Sequence, residues 1–301
     1  IISNCVFSNN MIIGNGAGGG LYNQGSNATP QITNCEFISN TAGFGGGIGN
    51  LSAASITNCR FFGNMATNVI GGGGIFLQNS SLALITNCTF SGNTAPGDGG
   101  AVRLFNSLNS VFSNCILWGN SNAEVLTDGG STFTITNSIV QGGFAGCTNC
   151  PNGNGNVDPL FVSSSNLHLQ ACSPAIDAGD DTANSTTEDL DGNDRKFEAI
   201  PGGQMIDMGA YELPILASSS ILYVKENAMG NNDGSSWTDA YTDLQSALAN
   251  TCPGVTDIWV AAGTYKPTSG IDRSISFVMK NGVKVLGGFP STGDPGLGDR
   301  D

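Results

Sequence analysis

The acidic turn between residues 189 and 194 has the composition of a calcium-binding loop. Four side chains around Gly192 carry hard oxygen atoms: Asp189, Asp191, Asn193 and Asp194. Oxygen ligands at near-alternate positions around a glycine turn are what Ca²⁺ loops supply. Three acids upstream are candidates for additional ligands: Asp177, Asp180 and Asp181. The glutamate that closes an EF-hand loop is absent, so the residues leave two interpretations open, a calcium site or a solvated acidic turn.

A second motif with possible chemistry is Cys147-Thr148-Asn149-Cys150, which lies beside Pro151 and several glycines. A C-x-x-C motif can be redox-active or form half of a zinc site. Neither a βαβ pattern nor a second C-x-x-C accompanies it. We therefore expect a local structural disulfide of an exported protein. The sequence does not indicate partners for Cys172 and Cys252.

Groups for polysaccharide cleavage are not gathered in the sequence. Glycosidases need paired carboxylates, whereas the acids of residues 1–150 fall on different repeats: Glu36, Asp98, Glu124 and Asp128. The sole histidine, His168, alternates with Leu167 and Leu169, which predicts a solvent-facing position on a strand. The glycine runs do not form a phosphate-binding G-x-x-x-x-G-K loop. We expect no catalytic residues and no enzymatic activity.

The first half of the chain consists of a sequence repeat. The motif Ile-Thr-Asn-Cys-x-Phe starts at Ile32, Ile56 and Ile85, with variants at Ile2, Val111 and Ile135. The steps between successive repeat asparagines are 23–30 residues long. A period of this size is typical of a solenoid, in which one repeat cannot bury its core alone.

Each repeat reads as three short strands joined by corners. Ile32 and Asn34 alternate with period two, and Cys35 and Phe37 do so on the opposite parity, which indicates a turn between Asn34 and Cys35. A third strand follows the glycine runs, as at Gly45-Gly46-Gly47-Ile48. We therefore predict an all-β fold, a right-handed parallel β-helix solenoid. Stacking should align one column of reduced cysteines: Cys5, Cys35, Cys59, Cys88 and Cys115. It should align a second column of Phe7, Phe37, Phe61, Phe90 and Leu117, and the repeat asparagines should bond the backbone of adjacent turns.

The Gly-Gly-x-Ile and Phe-x-x-Asn phrases, such as Phe37-Ile38-Ser39-Asn40 and Phe90-Ser91-Gly92-Asn93, resemble the repeats of polymorphic outer-membrane adhesins. More broadly, the repeats are similar to the right-handed β-helix of the pectate-lyase-like superfamily. The resemblance covers about half of the chain and implies the fold. It does not imply one activity, because that superfamily contains lyases, hydrolases, tailspikes and adhesins.

Composition changes near residue 150, because residues 151–220 carry eleven acids and two bases. Three phrases mark this part of the chain: Asp158-Pro159-Leu160-Phe161, Ser173-Pro174-Ala175-Ile176-Asp177 and Asp207-Met208-Gly209-Ala210-Tyr211-Glu212. They resemble the closing region of bacterial surface β-helix proteins, the choice-of-anchor Q domain. We accordingly expect rungs over residues 1–155 and a closing region over 156–217. The closing region should cover the open last rung.

Residues 218–301 read as the opening of a following β-helix. Ile221-Leu222-Tyr223-Val224 predicts a strand, and residues 236–249 predict one short amphipathic capping helix. Ile258-Trp259-Val260-Ala261 resembles a first-rung phrase of the same family. This order suggests either a segment of a tandem array or a subunit whose residues 221–301 complete the stack of a neighbouring copy. Since Ile1 lies within a repeat, we expect further sequence before it.

Composition narrows the function. The formal net charge of −14 argues against nucleic acid as a partner, and no apolar run is long enough for a membrane span. We expect a non-catalytic, extracellular structural or adhesive protein of a bacterial cell surface, with copies of itself or adjacent β-helices as partners. The alternative is a glycan-binding or polysaccharide-degrading β-helix, for which Trp118 is the candidate aromatic platform.

Overall fold

The computed structural model describes residues 1–25, 29–79, 82–153, 155–170, 172–196, 205–213, 220–252, 255–268, 270, 272 and 274–301. The chain divides into two compact units, Ile1–Pro214 and Ile215–Asp301. The division lies close to the joint expected at residue 218.

The first unit is a stack of short parallel strands in three main sheets. Sheet 1 contains Ile2–Ser3, Gln31–Thr33, Ser55–Thr57, Leu84–Thr86, Ser110–Ser113 and Phe133–Thr136. Sheet 2 contains Val6–Ser8, Glu36–Ile38, Arg60–Phe62, Thr89–Ser91, Ile116–Leu117 and Ile139–Val140. Sheet 3 contains Leu21–Asn23, Ile48–Asn50, Ile75–Gln78, Val102–Phe105 and Val125–Asp128, and Thr41–Ala42 pairs separately with Met65–Ala66. Each turn of chain through the three sheets is one rung, and the predicted parallel β-helix is confirmed.

The predicted interior columns are present. Phe7 pairs with Phe37, Phe37 with Phe61 and Phe61 with Phe90 in parallel register. The rings stack nearly parallel, with centroids 4.6–4.9 Å apart. This spacing matches the roughly 4.7–4.9 Å between neighbouring strands. Like side chains therefore lie directly above one another along the core.

The five repeat cysteines are free thiols, as predicted, and all but the half-buried Cys5 are buried. Each buried thiol lies near the backbone carbonyl two residues before it; the distance from Cys59 Sγ to Thr57 O is 3.2 Å. Burial raises the pKa of Cys59 and Cys115 well above the usual range. The neutral thiols of Cys59 and Cys115 therefore act as small apolar core residues.

The predicted Cys147–Cys150 disulfide is present, and its loop covers the far end of the stack. Thr148 pairs in parallel with Thr136 of the last rung, and Cys150 and Phe144 pack against the core. Cys150 Sγ accepts a hydrogen bond of 3.3 Å from the backbone N–H of Ser138. The disulfide loop therefore continues the cysteine column and ends it. Pro151–Gly153 forms a short 3₁₀ turn after it.

The second unit contains a three-stranded parallel sheet of Ile221–Val224, Asp257–Ala261 and Lys284–Phe289 in that order. Its helix spans Leu244–Ala249, and Leu297–Asp299 forms a 3₁₀ turn. Ala247 and Leu248 of the helix pack against Val224 and Ile258.

The helix predicted over residues 236–249 is therefore too long at its N-terminal end. Tyr241 forms an isolated parallel bridge with Val224, which holds its backbone extended. Asp243 then caps the helix by accepting a 2.7 Å bond from the N–H of Ser246. Trp237 still reaches the apolar core, and its indole N–H donates to Pro295 O. Trp237 is apolar because it packs in the core from a non-helical segment, so its place in the amphipathic pattern did not indicate a helix.

Among the described residues, the helices are all too short or too polar to cross a bilayer.

Candidate functional site: a covered flank and an aromatic groove

The asparagines of the Ile-Thr-Asn-Cys motif form the corner between sheets 1 and 2. We call Asn4, Asn34, Asn58, Asn87, Asn114 and Asn137 the corner asparagines. All six adopt positive φ, between 43° and 54°. Asparagine tolerates this left-handed conformation better than most residues. The repeat therefore uses asparagine first for the shape of the corner.

Four of the corner asparagines, Asn58, Asn87, Asn114 and Asn137, are covered by the chain itself. We call residues 157–213 the flank segment. Asn58 Nδ2 donates to Thr186 Oγ1 and Glu188 O, and Asn87 Nδ2 donates to Asp207 O at 2.8 Å. These contacts bury Asn58, Asn87 and Asn114 completely.

The contacts run along the stack from rung to rung. Asn114 exchanges two hydrogen bonds with Asp180, and Asn137 Nδ2 donates to Ala178 O. The N–H of Gly209 donates to Asn114 O at 2.8 Å. The described part of the flank segment therefore lies along the side of the β-helix, and the prediction that it covers the last rung is wrong. The disulfide loop already covers that rung, whereas the corner amides need partners.

Two further expectations are corrected here. The corner asparagines bond the flank segment and one another, as in the 3.1 Å bond from Asn114 Nδ2 to Asn87 Oδ1, and their amides do not bond the backbone of adjacent turns. Trp118 is not an external platform, because it packs beside Phe161 and Ile176 of the flank segment. Both errors arise because the period of a repeat does not show which face another segment covers.

A buried polar cluster fastens the flank segment. We call Asp189, Arg195, Asp207 and Glu212 the buried latch; each is at most 7% exposed. Arg195 Nη1 donates to Glu212 Oε1 at 2.7 Å, and Nη2 donates to Asn58 Oδ1 at 2.8 Å. The latch therefore ties the flank segment to the rung of Asn58. Breaking such a buried pair by removing one partner is costly.

Two carboxyls of the latch are hard to ionise. Burial, reinforced by the charge of Asp207, raises the pKa of Glu212 to about 8. Burial also raises the pKa of Asp207 to about 6, against the opposing effect of its hydrogen bonds from the N–H groups of Leu213 and Asp177. One guanidinium faces two carboxyls in a dry environment, and ionising both leaves excess negative charge.

The predicted calcium ligands are held differently from an open metal loop. Both Asp189 oxygens accept N–H groups: Oδ1 from Asp191 and Asn193, and Oδ2 from Glu212 and the Asn193 amide. Asp194 forms an isolated antiparallel bridge with Glu188. Among the described residues, no group of three His, Cys, Asp or Glu side chains is arranged to hold a metal ion. Asp189 is thus a turn anchor in this arrangement, and calcium binding at the loop stays a prediction.

The other candidate ligands are spread along the flank segment. Asp177 gives its N–H to Asp207, Asp180 contacts Asn114, and Asp181 accepts from the N–H of Ile206. His168 is half-exposed and pairs with Asp191, while its ring lies against Tyr211 with centroids 4.2 Å apart. The predicted solvent-facing position of His168 is partly correct, because one of its edges is paired.

A second column of asparagines lies inside the stack. We call Asn10, Asn40, Asn64, Asn93 and Asn120, which end the Phe-x-x-Asn phrases, the inner asparagines. Asn64 Oδ1 accepts from both the backbone N–H and the Nδ2 of Asn40, at 3.0 Å each. Asn64 Nδ2 in turn donates to Phe37 O and Asn93 Oδ1. Asn40, Asn64 and Asn93 each tie their rung to both neighbours in this way.

Glu124 ends the inner column. In the register that pairs Leu117 with Val140, Gly143 stands where the next asparagine belongs. The Glu124 carboxylate replaces the side-chain oxygen of that asparagine as the acceptor, and it accepts from Asn120 Nδ2 at 2.6 Å and from Asn120 N at 3.4 Å. Burial raises the pKa of Glu124 to about 7. Sequence reasoning treated this acid as isolated; the missing asparagine at Gly143 was the available signal.

On the outer face of sheet 3 lies an apolar cavity of about 170 Å³. We call it the aromatic groove. Its aromatic walls are Tyr22, Phe44, Phe76 and Phe105, supplied by successive repeats, and Leu51, Ile70, Asn50, Gln78 and Ala17 complete the lining. The Phe44 and Phe76 rings lie 5.3 Å apart, and Tyr22 is 42% exposed. The sequence analysis missed these aromatics because only Tyr22 and Phe76 share a repeat position, and Gly49 separates them in the intervening repeat.

Residues 50–186, which are 137 of the 301, match the family model described as the right handed beta helix region. The fold is a right-handed parallel β-helix. No curated protein and no solved structure matches this chain. The match begins in the second rung and runs into the flank segment.

Proposed function

We propose that this chain is a non-catalytic structural segment of an extracellular bacterial surface protein. The observation that carries the proposal is the double fastening of the stack. Inner asparagines bond five successive rungs to one another, and the flank segment bonds several rungs from outside. Such a stack resists bending and local opening, which suits a stiff spacer or adhesin stalk. The Cys147–Cys150 disulfide supports an oxidising location.

The proposal includes head-to-tail association with copies of itself or with adjacent β-helices. Its support is the edge strand Lys284–Phe289, which pairs on one side with Asp257–Ala261. Arg300 Nε and the N–H of Asp301 bond the carbonyls of Gly287 and Gly288, so Lys284–Leu286 is the part of this edge that offers a template for a further strand. A rung of another β-helix is the natural partner, because it supplies a parallel strand of similar length.

Sedimentation velocity over a range of protein concentrations tests the association. Gly287→Lys places a charged side chain on this edge, where an added Cβ meets no atom within 4 Å. We expect association of the wild-type chain and its loss in Gly287→Lys. Gly298→Lys is the matched control, since Gly298 is equally open and lies outside the strand. A wild-type chain that stays monomeric at all concentrations would refute head-to-tail association.

A second candidate function is glycan binding, with or without polysaccharide degradation, and the aromatic groove favours it. Incubation with uronic-acid polymers separates the two classes. Release of unsaturated oligosaccharides by the purified chain would contradict the non-catalytic proposal. Unchanged polymer after prolonged incubation, together with measurable binding, is the result expected of a structural adhesin.

A further inference from the structure

The aromatic groove combines a hydrophobic floor with a polar rim. Phe76 is 4% exposed at its base, whereas Tyr22 and Ile70 are 42% and 43% exposed at its sides. Within the described residues, the Tyr22 hydroxyl and the Gln78 side-chain amide make no hydrogen bond. Sites for small molecules typically join apolar walls to a few polar groups that orient the ligand. The groove has this composition.

The position of the groove follows from the register of sheet 3. Tyr22, Gly49 and Phe76 occupy the same outward position in three neighbouring strands. A Cβ on Gly49 would lie 2.7 Å from Gly18 N and 2.9 Å from Ala17 Cβ, so Ala17 and Gly18 already pack over this glycine. Ala17 therefore lines the groove beside Gly49. Phe44, which forms a parallel bridge with Ala17, adds a further aromatic side chain to the lining.

Charge limits the class of ligand. The described residues that line the groove are all uncharged. The neighbouring Arg103 and Asp128 pair with each other, so that no net charge faces the groove. The chain as a whole carries −14, which disfavours the approach of anionic ligands. A neutral ligand is favoured over a uronic acid or a phosphate.

Size and shape narrow the class further. The cavity of about 170 Å³ is smaller than the roughly 300–1,000 Å³ of sites for drug-sized ligands. It has room for a single ring. A pyranose ring presents C–H groups to aromatic faces and hydroxyls to a polar rim, and the rim here offers Tyr22 and Gln78.

We propose that the aromatic groove binds one neutral sugar ring of an extended glycan, with Tyr22 stacking on the ring and Gln78 orienting its hydroxyls. This site is independent of the structural role proposed above, and it would give an adhesive β-helix its ligand. The covered flank takes no part in it.

The test is isothermal titration of the full chain with three oligosaccharide probes: a neutral glucan, an amino-sugar polymer fragment and an oligogalacturonate. The neutral glucan should bind most tightly. Tyr22→Ala should weaken its binding by about tenfold, equivalent to ~1.4 kcal/mol. Tyr22→Phe keeps the ring and should stay within about threefold of wild type. Val6→Ala removes an apolar side chain that is 62% exposed on sheet 2 and should change nothing.

Three results would overturn the proposal: absence of binding to the neutral glucan, unchanged affinity in Tyr22→Ala, or tighter binding of the oligogalacturonate. N-acetyl-phenylalanine amide serves as a fourth probe. If it binds and the glucan does not, the groove accepts an apolar side chain of a protein partner, and the sugar assignment is wrong. Melting temperatures of the variants show whether the fold is intact, so failure of this site is distinct from failure of the structural role.

Discussion

The corner asparagines and the inner asparagines repeat with the same period, yet they are satisfied in opposite ways. Asn64, an inner asparagine, bonds only groups that belong to neighbouring repeats. Asn58, a corner asparagine, bonds Thr186, Glu188 and Arg195 from the flank segment. The inner column is therefore self-sufficient, whereas the corner column requires a segment from outside the repeats.

A sequence repeat specifies the hydrogen-bond partners of its interior side chains, but it does not specify those of its surface side chains. An interior amide meets the same surroundings in every rung, so each copy solves the same hydrogen-bonding problem. A corner amide faces outward, and its hydrogen-bond partner depends on which other segment of the chain packs against that corner. Asn4 and Asn34 show the uncovered state, since Asn4 is exposed and Asn34 half-buried.

The largest effect should come from breaking the inner column in its middle. Asn64→Ala leaves the buried backbone N–H of Asn40 and one of the two hydrogens of its Nδ2 without a partner, and it removes the bond to Phe37 O. Each orphaned donor costs ~1–3 kcal/mol and the lost bond adds about 1 kcal/mol, so we expect a loss of roughly 3–7 kcal/mol in the free energy of unfolding. Urea denaturation measures it. The control is Asn34→Gly, which keeps a residue suited to positive φ at an uncovered corner and should cost less than about 1 kcal/mol. Equal losses in the two variants would remove the distinction between the columns.

The next largest effect should come from opening the buried latch. Arg195→Met leaves Glu212 and Asp207 buried without a cation, at a cost of about 3–5 kcal/mol. We expect limited proteolysis to cut within the flank segment while the rungs resist. Lys284→Met removes an exposed cation, paired with Asp257 in the second unit, and should leave the digestion pattern unchanged. Digestion of rungs and flank segment together in Arg195→Met would show that the two are one cooperative unit.

A smaller effect should appear in the dependence of stability on pH. Glu124 has a folded pKa of about 7, above its usual 4.5. A raised carboxyl pKa means that the folded state binds the proton more tightly. Its contribution is therefore fully present below pH 4.5 and is lost as the pH rises to 7, by about 3 kcal/mol. Glu124→Gln should remove this part of the pH dependence, as measured by denaturation at pH 4.5 and pH 8.

The contribution of Glu124 to the pH dependence of stability can be separated from the contribution of the buried latch. Glu212 and Asp207 also have raised pKa values and add their own losses between about pH 4 and 8. These should persist in the Gln variant. A pH profile identical to that of wild type would mean that Glu124 does not end the inner column as a buried carboxyl.

The smallest effect should come from calcium. Because the oxygens of Asp189 already accept N–H groups, we expect the same melting temperature in excess chelator and in millimolar calcium. A rise of several degrees in calcium would restore the metal site predicted at Asp189, Asp191, Asn193 and Asp194. Asp191→Asn is the variant that would then identify the ligand.

Much of the fold was predictable from the sequence because the spacing of the repeats determines which side chains stack on one another. Cysteine, phenylalanine and isoleucine recur at fixed offsets, and parallel stacking converts equal offsets into columns. The Cys147–Cys150 disulfide was predictable from local spacing. The helix boundary was not, because Tyr241 fits an amphipathic pattern equally well as a strand-paired core residue.

The sites were less predictable, since they depend on contacts between distant segments. Nothing in the sequence around Arg195 indicates that it reaches Asn58, 137 residues away. The groove joins Tyr22, Phe44, Phe76 and Phe105, of which only Tyr22 and Phe76 share a repeat position. Glu124 could have been recognised, because Gly143 interrupts an otherwise regular column of asparagines.

The central claim is that the corner asparagines hold the flank segment and the inner asparagines hold the rungs. Hydrogen exchange of the full chain with Asn87→Gly tests it most directly, because glycine keeps the positive φ while removing the amide. The N–H groups of Gly209 and Ala210, which bond the rungs from the flank segment, should exchange at least about tenfold faster. Those of Asn64 and Asn93 should be unchanged. Equal acceleration of all four, or of none, would contradict the account.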